Sequence, residues 1–122
     1  MLAGTMYEEL QLAPIAFVGP FTEEEKNQLI EALMGVVDPE IGMDIVNLGL
    51  VYELHKDESG RLKVVMTLTA VGCPLAPAIV GDVRRALLGL EKYSDVEVEL
   101  AYSPPWDRSR LSRVAKMALG LY

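Results

Sequence analysis

The chain has one cysteine, Cys73, and one histidine, His55. The thiol stands in "TAVGCPLAPAIV", residues 69–80, where a run of β-type residues stops and a helix-like run begins. A helix start offers free backbone N–H groups and the positive end of the dipole, so an anion is stabilised there. A cysteine in that setting can fall from about 8.5 to below neutral and present a thiolate. Gly72 permits the turn and lets another group approach the sulfur, and Pro74 suits the first helical turn. The competing reading is a small buried hydrophobe. The strand-Gly-Cys-Pro-helix setting favours the reachable thiolate.

Partners for that sulfur follow from topology. His55 sits by a hairpin turn, at the far end of the strand pair whose other end delivers Cys73. A Cys–His nucleophilic pair within one chain is therefore disfavoured, and His55 reads as a surface residue. Asp38 and Glu40 precede the first strand of that pair, so they belong at the same sheet end as Cys73. Thr69 ends the second strand and can place its hydroxyl there. A thiolate with one or two carboxylates nearby can bind a metal. With one cysteine per chain, a soft site takes further ligands from a second subunit or a small thiol. Asp38 could equally serve the turn at the helix exit, and Thr69 could be an ordinary open-face strand residue. A lone cysteine excludes an internal disulfide and a zinc site of paired CxxC type, and it suits a reducing compartment.

Regular elements must position these residues. "FTEEEKNQLIEALMGV" predicts a helix, with Thr22 as N-cap, Glu25 completing a capping box and Leu29, Ile30, Leu33 and Met34 as its apolar stripe. Residues 36–50 read as a loop packed through Ile41, Ile45, Val46 and Leu48. "LVYELHKD" alternates Leu50, Tyr52 and Leu54 with Val51, Glu53 and His55. "RLKVVMTLTA" alternates Leu62, Val64, Met66, Leu68 and Ala70 with Lys63, Val65, Thr67 and Thr69, and the two make a hairpin. A helix from about Leu75 or Ala76 carries Ile79, Val80, Val83, Leu87 and Leu90. A third strand, "VEVELAY", can pair with either strand of the hairpin. A last helix, "RSRLSRVAKMALGLY", carries Leu111, Val114, Met117 and Ala118 on one stripe. The order α-β-β-α-β-α predicts a two-layer α/β sandwich with a small three-stranded sheet and helices on one face. Residues 1–20 read as a loosely attached N-terminal arm and 21–122 as a single domain.

Composition sets the outer bounds. With 122 residues there is room for one core. A net charge of −7 argues against nucleic acid and anionic membranes as partners. No apolar run approaches the about 18 residues of a membrane span, and no basic-plus-apolar leader opens the chain. The expectation is a cytoplasmic protein.

"PPWDRSR" is the second unusual stretch. Trp106 is the only tryptophan, and Pro104 and Pro105 stiffen its approach. It reads either as a packed aromatic with Asp107 or Ser109 capping the last helix, or as a docking edge for a partner. Arg108, Arg110, Arg113 and Lys116 make this end cationic, either as a solvated helix face or as part of that edge.

Three blocks, "DPEIGMDIVNLGLVYEL", "MTLTAVGCPLA" and "VEVELAYSPPWDRSRLS", together resemble the signature of the SufT/PaaD-like family, over about residues 22–120. The resemblance implies an iron–sulfur-assembly-type α/β domain. It brings forward Asp38, Pro39 and Glu40, then Thr69, Cys73 and Pro74, then Pro104, Pro105 and Trp106. Cys73 matches the family's reactive or ligand cysteine. The expected function is that of a non-catalytic or weakly catalytic iron–sulfur cluster assembly factor. Cys73 would bind iron or a cluster transiently across a homodimer and deliver it to client apoproteins, alongside other assembly proteins. Pro104, Pro105, Trp106, Arg108 and Arg110 are the expected partner-binding set. The alternatives are a PaaD-like accessory of a phenylacetate-type oxygenase system, a cysteine-dependent thiol enzyme, or an adaptor in which Cys73 is structural.

Overall fold

The structure, a computed structural model, describes residues 12–69 and 74–120. Its centre is the expected hairpin, β4 (Val51–Lys56) with β5 (Arg61–Met66). Asp57 closes the turn by accepting from the backbone N–H of Ser59 at 2.9 Å and of Arg61 at 3.1 Å. The third expected strand, β6 (Asp95–Leu100), lies beside β5 and parallel to it, with Val96 opposite Leu62, Val98 opposite Val64 and Leu100 opposite Met66. The helix between them, α2 (Ala76–Leu88), makes the crossover that parallel pairing requires. Its Ile79, Val83 and Leu87 are fully buried.

A fourth strand corrects the expected count. β1 (Ala16–Val18) runs parallel to β4, giving a sheet ordered β1-β4-β5-β6. Leu12 and Ile15 just before it are buried in the core, so this part of the expected arm is packed into the domain. Three residues at a sheet edge carry no period to read, and Pro14 next to them looks like a break.

Helix α1 (Glu23–Leu33) begins as expected, with Thr22 Oγ1 accepting from the Glu25 N–H at 3.1 Å. Leu29, Ile30 and Leu33 are fully buried. The helix packs against α2, and α2 against β6. Loop 36–50 is packed through Ile45, Val46 and Leu48. It also contains a two-residue ladder, β2 (Val37–Asp38) with β3 (Met43–Asp44), turned by Gly42 at φ 80°.

Two further expectations are corrected. The alternation along 50–56 breaks at a bulge between Val51 and Glu53, so Val51 pairs with Met66 while Glu53 pairs with Val65. Tyr52 then lines a groove with Glu53, Val65 and Glu99 on the open face. The last helix is split into a 3₁₀ turn (Arg108–Arg110) and a short α3 (Arg113–Ala118). Asp107 caps the turn by accepting from the Ser109 N–H at 2.7 Å, and Ser112 caps α3 by accepting from the Ala115 N–H at 3.1 Å. With Ser112 and Ala115 facing inward, Val114 and Met117 point out, 53% and 57% exposed.

Candidate functional site

Cys73, the expected centre of the site, lies outside the described residues. Thr69 is the last described residue before it and Pro74 the first after it. The chain between them spans the step from the end of β5 to the start of α2. Pro74 is exposed in the turn before α2, and Pro77, not Pro74, occupies the helix's first turn. No side chain caps that helix start among the described residues.

Thr69 is half-buried at one wall of a cleft of about 90 Å³, formed with Thr67, Leu68, Tyr102, Pro105 and Trp106. β5 ends at Met66, so Thr69 lies beyond the strand and does not end it as expected; the structure brings this stretch and the Pro-Pro-Trp stretch, which the sequence left apart, to one cleft. Two bonds set the underlying geometry. The Thr67 N–H reaches Leu50 O at 2.8 Å, and the Ala101 N–H reaches Met66 O at 2.8 Å, so both neighbouring strands grip β5 where it runs out.

Residues 104–112 are stitched to residues 47–52. The Trp106 indole N–H donates to Leu48 O at 2.6 Å, the Tyr52 hydroxyl donates to Pro104 O at 2.8 Å, and the Ser112 N–H donates to Asn47 O at 2.8 Å. Arg110 donates from Nε to Gly49 O at 2.6 Å and lies 4.4 Å over the Tyr52 ring. Burial pulls the Arg110 guanidinium below its ordinary value, and Tyr52 and Asp107 offset part of that. Gly49 makes the close approach possible. At φ 72° a side chain there would be strained, and its Cβ would stand 2.3 Å from Arg110 O.

Exposure differs within the expected partner-binding set. Arg110 faces inward onto backbone carbonyls, whereas Pro104, Pro105 and Arg108 are exposed and Trp106 is half-buried. The Tyr52–Arg110 clasp had no signal in the sequence, because the bulge that turns Tyr52 to the open face is invisible there.

The carboxylates are placed as follows. Asp38 is buried, its Oδ1 accepts from the Glu40 N–H at 2.9 Å, and its backbone carbonyl accepts from Gly42 at 2.7 Å. Turn chemistry at the helix exit is thus part of its work. Asp44 accepts from the Val46 and Asn47 N–H groups at 3.1 and 2.9 Å. His55 sits opposite Lys63 by the hairpin turn and contacts Glu53 at 2.7 Å, far along β4 from the strand end that leads to Cys73. Among the described residues, no three His, Cys, Asp or Glu side chains converge closely enough to hold a metal ion. No helix among them is long and apolar enough to cross a membrane.

Residues 26–100 match the family described as iron–sulfur cluster assembly protein. That span holds Asp38, Glu40, Thr69, Cys73 and Pro74 and stops short of Pro104. The chain is similar to the Fe–S protein maturation auxiliary factor YitW of Bacillus subtilis, 52% identical over 99 residues that cover 81% of this chain and 97% of the relative. It is 49% identical to the Fe–S protein maturation auxiliary factor SufT of Staphylococcus aureus over 86 residues, 70% of this chain and 98% of that one. The crystal structure of a domain of unknown function from Bacillus anthracis shares the fold, with a TM-score of 0.73 and 45% identity, covering 79% of this chain and 92% of that chain.

Proposed function

The chain belongs to the iron–sulfur cluster assembly protein family, and from that premise we propose that it serves iron–sulfur protein maturation by holding iron or a cluster on Cys73 and passing it to client apoproteins. The observation that carries this is the 52% identity, over nearly the whole of the relative, to a protein named as an Fe–S maturation auxiliary factor. Iron or a cluster is cargo in this scheme. A thiolate is a soft ligand suited to iron. One sulfur per chain leaves positions on the metal open to sulfide, a small thiol or the Cys73 of a second chain. Incomplete ligation makes release easier than from a closed four-thiolate cage.

The chain's own residues have distinct parts. Thr69 lies three residues past the end of β5, on the chain that leads towards Cys73, and the Trp106 ring, pinned to Leu48 O, walls the cleft beside it. Asp38 and Glu40 supply carboxylates from the helix-exit turn. Pro74 directs the chain into α2. Pro104, Pro105 and Arg108 offer an exposed edge to a client.

Anaerobic reconstitution with iron and sulfide tests the scheme on wild type and Cys73→Ser. Visible absorption, iron content, native mass and activation of an apo form of an iron–sulfur protein are read together. Wild type should gain a chromophore and activate the client, and the serine variant should do neither. Client activation that survives in Cys73→Ser would leave an adaptor with a structural cysteine. Cys73-dependent turnover of a thiol substrate with no chromophore would make the chain a thiol enzyme.

A further inference from the structure

The short helix α3 turns its apolar side chains to solvent. Val114 and Met117 are 53% and 57% exposed, and Leu119 beyond the helix end is 38% exposed. The helix is held from its other side by buried Ala115, by Leu111 and by the Ser112 cap, whose hydroxyl also donates to Asn47 Oδ1. The outward orientation is therefore fixed by packing and hydrogen bonds, and the exposed face is not a frayed end.

Charge marks the same face. Arg113 and Lys116 form an i,i+3 ridge immediately beside the i,i+3 ridge of Val114 and Met117. Residues 107–120 contain four cations and one acid, Asp107, in a chain whose net charge is −7. Of the seven cations elsewhere, Lys26, Lys56, Arg61, Lys63, Arg84 and Arg85 each have an acidic partner, and Lys92 instead donates to Gln28 Oε1. Arg108, Arg113 and Lys116 have no such partner among the described residues. A second copy docking α3 on α3 about a two-fold axis would set these cations against themselves.

We propose that the outward face of α3 docks a partner protein through an acidic segment that carries apolar side chains. Val114 and Met117 receive the apolar groups, and Arg108, Arg113 and Lys116 receive the carboxylates. This deepens the docking half of the proposed function and rests on that reading for the occasion on which the partner is met.

Fluorescence anisotropy with three labelled synthetic peptides tests it. The first has leucines at helical spacing with glutamates between, the second replaces each glutamate by glutamine, and the third replaces each leucine by serine. The first should bind about tenfold more tightly than either other. That advantage should shrink as salt rises from about 50 to about 300 mM. It should be lost in Met117→Asp and in the double variant Arg113→Glu, Lys116→Glu, with circular dichroism confirming that both fold. Equal binding of the glutamate and glutamine peptides, undiminished binding by Met117→Asp, or no binding of any peptide would overturn the proposal. So would a wild-type dimer in sedimentation equilibrium that Met117→Asp converts to monomer, since a second copy would then be the occupant. Cys73→Ser should bind the first peptide as wild type does, so loss of peptide binding and loss of the chromophore are separate failures.

Discussion

At the hairpin end of the sheet, side chain meets side chain. Glu25 accepts from Lys56 Nζ at 2.7 and 2.9 Å and from the Tyr93 hydroxyl at 2.7 Å, and Lys56 also lies 5.2 Å over the Phe21 ring. At the opposite end, side chains meet backbone. Trp106 and Arg110 donate to Leu48 O and Gly49 O, carbonyls that the loop and bulge leave out of the sheet ladder. The first arrangement is a buried, closed charge cluster that ties α1 to the sheet. The second satisfies an irregular stretch of chain while keeping it irregular, and that stretch borders the strand end leading to Cys73. The charge cluster and the cleft assigned to the proposed cluster handling thus lie towards different ends of one sheet, so variants at the two ends should fail differently.

The largest effect tests the hairpin end. Glu25→Gln leaves the Lys56 ammonium, only 18% exposed, without its anion, and should lower unfolding free energy by about 3 kcal/mol. Urea denaturation reads this, and iron uptake by the variant that remains folded should be unchanged. The pH dependence has a definite sign. Burial pushes the Glu25 carboxyl up, but the bonds from Lys56 and Tyr93 outweigh it, so its pKa lies below the ordinary 4.5. Its contribution is therefore present above 4.5 and is lost as pH falls through the lowered folded value. Tyr93 is shifted the other way, chiefly by burial and then by Glu25, above the ordinary 10.0. Its contribution is present below 10.0 and is lost as pH rises through the raised folded value. The gap between wild type and Glu25→Gln should be widest between those limits and close as the solution is acidified.

A smaller effect on stability, with a larger one on function, is expected at the other end. Trp106→Ala removes a half-buried ring and the bond to Leu48 O, and should cost about 2 kcal/mol. Unlike Glu25→Gln, it should reduce iron uptake per folded chain in anaerobic reconstitution, because the cleft wall beside Thr69 is gone. Equal uptake by the two variants, each measured at the same folded fraction, would erase the functional contrast between the ends.

The two ends also differ in how much of them could be read from the sequence. The capping role of Thr22 was legible because the capping oxygen and the N–H that donates to it lie three residues apart. The destination of the Glu25 carboxylate was not, since Lys56 and Tyr93 are 31 and 68 residues away. The alternation of β5 and β6 gave their inward residues, while the parallel pairing between them needed three dimensions. At the site end, Thr69 and the Pro-Pro-Trp stretch stood out by type and position. Their assembly did not, because the bonds that hold residues 104–112 end largely on backbone carbonyls, which carry no side-chain signature. On α3, the period of 3.6 was present but did not say which face is inside. Small Ala115 and polar Ser112 took the buried side, against the hydrophobic pattern.

The smallest effect is expected between the two ends, on the open face of the sheet. Lys63 on β5 reaches diagonally to Glu99 on β6 at 3.3 Å, with side chains 40% and 52% exposed. Water screens such a pair, and ordering two long side chains offsets most of the attraction. The Lys63→Ala, Glu99→Ala double-mutant cycle should give a coupling energy of about 0.5 kcal/mol or less, shrinking further with salt. A coupling several times larger would mean that this face is covered in solution. The open side of the sheet would then be a third working region, and the contrast between the two ends would be incomplete.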